Sequence, residues 1–369
     1  MRPNQQVSKR EDSVSLRRSS TVLITIAVIL AAVAAVLRFI VAPNATKLPE
    51  DADQTVHYAG KAAMLDAGAL QSGDTANALK TDIPVTVDRR VRVTSTHGDT
   101  AVLQDVMTVH VGKQTLPSSK TYAVDRQSRE GTTPPASTAA EPSRGALSSA
   151  FPPDAARDDS YDYYDSTARA TVPVRYTGSA EREGRSVNVY EIKYEIKIDA
   201  PVKDPAVLKP LPAALPKALL AGLVPTLDST ARARLTPEAL SALPDPVPLT
   251  YQGRSTLVAY IDRQTGIAID QKVDQKIVAT TTVDGEPTSL LPVSALAFAV
   301  TSESSKDLGD TAASAGLLLT VLSDVTPLVL IVIAALLLVI VFIRARSRKP
   351  GSTPASGDAP VATSPAQPL

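Results

Sequence analysis

The stretch Pro327 to Ile343, PLVLIVIAALLLVIVFI, is seventeen residues without a charge, closed by Arg344, Arg346, Arg348 and Lys349. With Val325 and Thr326 it approaches the roughly 20 apolar residues, at about 1.5 Å rise each, that cross a hydrocarbon core of about 30 Å. A run with no polar face has nothing to show water, so it reads as a membrane-spanning helix rather than a buried core helix. Everything upstream must then end at a membrane.

A second run, Val22 to Leu37 (VLITIAVILAAVAAVL), is extended by Arg38, Phe39, Ile40 and Val41 to spanning length if the Arg38 side chain snorkels. The rival reading is a cleaved secretion signal. Its long leader, the length of the run and the lack of a small-x-small site at Arg38 argue for a retained helix. Arg2, Lys9, Arg10, Arg17 and Arg18 precede the first span and four basic residues follow the second, which predicts both termini in the cytoplasm and the middle outside.

The chain has 38 Lys and Arg against 38 Asp and Glu. Ten of the cations but only three of the anions lie outside 42–324, which leaves that segment with net charge −7. An acidic exterior excludes nucleic acid as a partner. There is no cysteine, hence no disulfide and no thiolate chemistry, and the outer domain must be stabilised by its core alone.

The organisation predicted is a disordered leader over 1–20, a first span over 21–41, an extracytoplasmic domain over 42–324, a second span over 325–343 and a basic, disordered tail over 344–369. Strand patterns begin with TVHYAGKAAML. In IPVTVDRRVRV, Ile83, Val85, Val87, Val91 and Val93 share a face that Arg89 interrupts, and the turn HGD leads to TAVLQDVMTVHV, so the two form a hairpin. TYAVD, ATVPVRYTG, RSVNVYEIKYEIKI, STLVAYID and IAIDQKVDQKIVATTTV continue the pattern. The change of phase in RSVNVYEIKYEIKI predicts a β-bulge near Tyr190 or Glu191. Residues 127–160, rich in Pro, Ser, Thr and Ala, predict a mobile, disordered insertion.

Residues 201–248 carry a proline every few positions and predict a cover of short helices, one with Thr236 as N-cap and Pro237 at its first position. Leu308, Ala312, Ala315, Leu319 and Leu322 make one apolar stripe on a helix over 302–322, which should break near Asp324 and Pro327. The fold class is therefore α+β: two membrane helices flanking an extracytoplasmic domain built on a curved antiparallel β-sheet with helical cover.

No catalytic motif or cofactor fingerprint occurs, and His57, His97 and His110 fall in turns and at strand ends, so the chain reads as non-enzymatic and cofactor-free. The candidate contact residues are the Tyr-carboxylate cluster Tyr161, Tyr163 and Tyr164 and the echo of AVDRQS in YIDRQT. That echo places Asp125, Arg126, Asp262 and Arg263 at two turns, where Asp caps a tight turn through its side chain. Arg38, Asp324 and Arg344 mark the membrane boundaries.

The succession of a basic leader, a span ending Arg-Phe, VAPNATKLPEDAD, TYAVDRQS, YDYYD with PVRYTG, YIDRQTG and a C-terminal span resembles the actinobacterial envelope proteins of the porin PorA family, formerly a domain of unknown function. The resemblance covers nearly the whole chain and brings no catalytic residues. More loosely, strands ending in a D-x-x-T-G turn are similar to those of periplasmic lipoprotein carriers, whose curved sheet encloses an apolar cavity.

Two functions compete. A binding module for a lipid or other hydrophobic envelope component, or for an envelope protein, predicts a cavity lined by the Val and Ile faces and closed by the proline-rich segment. A channel requires a homo-oligomer, since two helices without a polar stripe enclose no pore, and it would assemble along the Leu308 to Leu322 stripe with Arg38 or Asp324 at its mouths.

Overall fold

The computed structural model describes residues 8–346 other than 67, 70, 71, 73, 75–77, 195–201 and 210. The predicted disordered tail beyond Arg346 lies outside the described residues, as does the end of RSVNVYEIKYEIKI. Two compact units emerge, one of residues 1–43 with 320–369 and one of residues 44–319.

In the first unit, helix α1 (Ser8–Val36) passes through a π turn (Leu37–Val41) into the short α2 (Ala42–Ala45). Residues 8–20 of the predicted disordered leader are therefore helical. Both membrane candidates are long and apolar enough to cross a bilayer.

The predicted break at Asp324 and Pro327 is instead a second π turn, Val321–Val325, through which the helical backbone stays continuous. There the Thr326 N–H bonds the Val321 carbonyl, and the wider turn accommodates Pro327, whose ring clashes with the fourth preceding carbonyl in a regular helix. The C-terminal span (Thr326–Arg346, numbered α8 below) packs along α1. Ala27, Ala34 and Ala334 are buried, while Leu328 and Phe342 are 62% and 64% exposed. Small residues let two helix backbones approach closely and leave the long apolar side chains for lipid.

The second unit is built on a ten-stranded antiparallel sheet. Its strands are β1 (Asp53–Leu65), β2 (Leu79–His97), β3 (Thr100–Val111), β4 (Gln114–Asp125), β5 (Asp162–Asp165), β6 (Ala170–Arg182) and β7 (Arg185–Tyr194), followed by β10 (Thr250–Asp262), β11 (Ala268–Val283) and β12 (Glu286–Val300). A separate two-residue pair, β8 (Ala214–Leu215) and β9 (Val247–Pro248), lies in the cover. The strand order is β4-β3-β2-β1-β12-β11-β10-β7-β6-β5, so β12 joins the N-terminal meander to the rest.

Strand β12 was not evident in the sequence, because Pro287, Pro292 and a run of alanines weaken the strand pattern. The structure tolerates Pro292 at a register shift opposite Val278. Asp284 and Gly285 adopt φ of 51° and 80°, the left-handed pair that a two-residue hairpin needs.

The sheet curls into a half-barrel that brings side chains of its two edge strands together. Tyr122 of β4 and Tyr164 of β5 stand edge to face with ring centroids 6.4 Å apart. Backbone bridges Val124 to Gly131, Gly131 to Arg144 and Leu147 to Tyr163 carry the seam between the two edges. Residues 127–160 are thus an ordered closure rather than a disordered insertion. The segment has few apolar residues, but Ala146, Leu147, Phe151 and Ala155 are all buried, and its backbone bonds both edges: Glu141 N–H to the Thr121 carbonyl and Tyr164 N–H to the Leu147 carbonyl, each at 2.8 Å.

The change of phase in β7 has a different cause from the bulge predicted there. Val187 packs outward with Ile269 and Ala312, whereas Tyr190 and Ile192 pack inward, because both faces are covered at that point. The register shift sits on the partner strand, between Tyr176 and Gly178 of β6.

The proline-rich segment forms four short helices: α3 (Pro205–Leu208), α4 (Lys217–Leu223), α5 (Ser229–Arg234) and α6 (Pro237–Ala242). Thr236 accepts the Ala239 N–H as N-cap, with Pro237 following it. Leu220, Leu223, Leu227, Leu235 and Val247 make a core with Val283 and Leu290 at the β11–β12 hairpin. Helix α7 (Ser302–Thr320) lays Leu308, Gly309, Ala312 and Gly316 on the unit, against the turns that hold Glu183 and Gln264. Helix α8 (Thr326–Arg346) completes the order.

Candidate functional site

Period-two alternation turns Val85, Val87, Arg89, Val91 and Val93 of β2 to the inside of the curled sheet. Arg89 is the charge on that face. It reaches Asp105 of β3 in a two-pronged contact, Nη2 to Oδ2 at 2.6 Å and Nε to Oδ1 at 3.0 Å. The side chains are only 18% and 11% exposed. Burial works against the cation, but the Asp105 carboxylate outweighs it and holds Arg89 protonated, well above its usual range.

Beside this pair, the Tyr58 hydroxyl donates to Gln271 Oε1 at 2.7 Å, and the Tyr58 ring meets Phe298 edge on at 5.5 Å. Burial pushes the Tyr58 phenol up. Tyr163, also inside, is pushed up to about 12, chiefly by burial.

Among the described residues, three cavities of this interior touch Arg89. The largest, about 160 Å³, is lined by Tyr58, Arg89, Tyr163, Leu257, Gln271 and Phe298 among others. A second, of about 110 Å³, touches Val91, Leu103, Ser149 and Ala268 as well as Arg89 and Gln271. A third of about 20 Å³ also lies against Arg89 and Gln271, with Ser149 and Phe151 on its wall. Arg89 and Gln271 are therefore common to the walls of all three, and these spaces are together termed the lumen.

The closing segment also enters the lumen. Phe151 stacks on Tyr190 at 4.7 Å, the Tyr190 hydroxyl donates to the Ala156 carbonyl at 2.5 Å and the Asn188 amide to the Ala155 carbonyl at 3.2 Å. Ser149 Oγ donates to Asp105 Oδ2 at 3.4 Å. At the wider cavity, Lys120 pairs with Asp204 at 2.7 Å, and Glu141 accepts from the Tyr164 hydroxyl at 2.9 Å.

Of the residues singled out in the sequence, Tyr163 reaches the lumen. Tyr161 packs against Phe151 and Tyr190, and Tyr164 is part of the seam. The echo is one turn used twice. Asp125 accepts the N–H groups of Gln127 and Ser128, and Asp262 those of Gln264 and Thr265. Asp262 also takes the Arg185 guanidinium at 2.9 Å.

Arg126 donates to the Leu48 carbonyl and to Glu50, while the Arg263 carbonyl accepts the Asp154 N–H. Arg38 and Asp324 lie in the two π turns, which pack on each other, and Arg344 lies in the last turn of α8. Asp105, Lys120 and Gln271 were not anticipated. Arg89 was visible as the charge on an apolar phase, the one signal that could have led to its partner.

None of the curated proteins compared with this chain matches it. Among solved structures, a DUF1329 family protein from Desulfovibrio piger aligns at 9% identity over 76% of this chain and 91% of that one, with a TM-score of 0.14. A conserved protein of unknown function with a hot dog fold from Alicyclobacillus acidocaldarius aligns at 14% identity over 70% and 83%, with a TM-score of 0.12. Scores this low carry no argument about the fold. The family model described as Porin PorA matches residues 19–343, from the first span through the curled sheet and its lumen to the end of the second, and the chain belongs to that family.

Proposed function

We propose that this chain is a non-enzymatic envelope protein, anchored by two membrane spans with both termini in the cytoplasm, whose extracytoplasmic barrel admits a small solute and which works as a porin-like passage component when assembled as a homo-oligomer. The observation that carries this reading is that three cavities share Arg89 and Gln271 inside the curled sheet, and we take them as one lumen with the Arg89–Asp105 and Tyr58–Gln271 pairs at its neck. Membership of the porin PorA family supports it. The basic residues flanking each span support the orientation.

A carrier for long acyl chains has less support. The lumen was expected to be walled by Val and Ile and closed by the proline-rich segment. Its wall instead includes Arg89, Asp105, Lys120 and Asp165, and the segment that enters it is 147–156. Polar walls of this kind keep water or a polar solute rather than an acyl chain.

The chain has no cysteine, so single replacements report cleanly. Ser255→Cys lines the wider cavity and Ser149→Cys the other two. In intact cells, both should react with a membrane-impermeant maleimide added outside, and modification at position 149 should reduce the planar-bilayer conductance of the reconstituted protein. Failure of both positions to react overturns the lumen reading. Labelling without conductance overturns the passage and leaves a binding cavity.

A further inference from the structure

The chemistry of the wider cavity narrows what it takes, a step that rests on the lumen reading above. Its two cations are matched within the protein. Arg89 is held by Asp105 at 2.6 Å and Lys120 by Asp204 at 2.7 Å, so neither is left to hold an ionic ligand. A free anion entering here would have to break a buried pair.

The rest of the wall is of two kinds. Aromatic and aliphatic surface comes from Tyr58, Phe298, Leu257 and Val273. Hydroxyl and amide groups come from Ser118, Ser166, Ser255 and Gln275. Leu257, Val273 and Phe298 point inward yet keep accessible surface, since the space in front of them is unfilled by protein. At about 160 Å³ the cavity has room for on the order of ten waters.

The geometry points to a neutral polyhydroxy ligand of one sugar ring as the occupant of this cavity. A pyranose offers C–H faces to aromatic rings and a rim of hydroxyls that both donate and accept, which is the pattern of this wall. Its roughly dozen non-hydrogen atoms match a space of about ten waters. An acyl chain would strip water from the Ser and Gln groups without replacing their hydrogen bonds. Burial also holds the Asp165 carboxyl of this wall above its usual range, despite backbone N–H groups that pull it down.

The test is saturation-transfer NMR on the full-length protein in a sugar-free amphipol, with glucose, hexanoate and inorganic phosphate as separate probes. Transfer to the glucose ring protons is expected, lost in Ser255→Trp and in Ser118→Trp, which fill the cavity from different strands, and kept in Lys113→Trp on an exposed turn. Two cavity variants guard against one failing to fold. Transfer to hexanoate or phosphate but not glucose overturns the proposal, as does glucose transfer that survives in the folded cavity variants. With Ser255→Cys labelled from outside, absence of glucose transfer overturns the ligand class alone. Failure of both Ser255→Cys and Ser149→Cys to label overturns the lumen reading and this proposal together.

Discussion

Tyr122 and Tyr164 belong to opposite edge strands of one ten-stranded sheet, yet their rings meet at 6.4 Å and 75°. A curled sheet with free edges would expose unpaired backbone and invite association, so the contact together with the bridges of residues 131–147 is what covers the two edges of the half-barrel. Tyr164 is 2% exposed and its hydroxyl reaches Glu141. Tyr164→Ala should cost about 3–5 kcal/mol as a large buried aromatic truncation. For a unit of this size that is a drop on the order of 5–10 °C in the melting temperature followed by circular dichroism. Tyr164→Phe loses only the hydrogen bond, and should cost about 1 kcal/mol.

The strand phases were legible wherever Val, Ile and Tyr alternate with charges, which covers β2, β3, β6, β7, β10 and β11. What escaped was decided by distant parts of the chain. Strand β12 is rich in Ala and contains two prolines, and its strand character comes from neighbours on both sides that supply its hydrogen bonds. Residues 127–160 look disordered by composition. Their order comes from the two open edges, which have bonding groups to satisfy. The site was half legible: Arg89 stands out as a charge on an apolar face, but Asp105 becomes its partner only once β2 and β3 are paired in register.

The β1–β12 pair is the joint between the two halves of the sheet, and Gly60 is placed where it must be small. A Cβ there would lie 2.0 Å from the Ala297 carbonyl oxygen, a backbone atom that cannot rotate away. Gly60→Ala should therefore destabilise by about 3 kcal/mol or more, at the upper end of overpacking. Gly98→Ala is the contrast. Nothing lies near its Cβ, and its φ of 62° costs only the left-handed strain of about 1–2 kcal/mol. Melting temperatures of the two variants should separate in that order.

Asp165 carries the pH dependence that burial imposes. Its carboxyl is held above the usual range first by desolvation, with the Ala168 N–H working the other way. The folded state thus binds this proton more tightly than the unfolded chain. Its contribution to stability is fullest below the unfolded value of about 3.9 and is lost as pH rises through the folded one. Asp165→Asn removes that titration, so wild type should lose stability relative to the variant as pH rises from about 4 through the raised folded pKa. A difference curve that is flat over this window refutes the assignment, and using the difference cancels the other carboxylates.

The neck of the lumen yields the sharpest energetic test. Arg89 and Asp105 are both largely buried and bonded to each other in parallel, so removing either leaves a charge without its partner in a poor solvent. Arg89→Met should cost about 3–5 kcal/mol, as the loss of one member of a buried pair does. The double variant Arg89→Met/Asp105→Leu leaves no charge behind and should recover most of that loss, because an apolar pair of similar volume satisfies the same space. Coupling of this sign, read from the four melting temperatures of a double-mutant cycle, would establish that the pair acts as one unit. The same double variant makes the neck apolar without opening it, so a passage for polar solute should conduct less through it, while the fold is kept. Unchanged conductance in the folded double variant would mean that solute does not pass Arg89 and that the route lies elsewhere in the assembly.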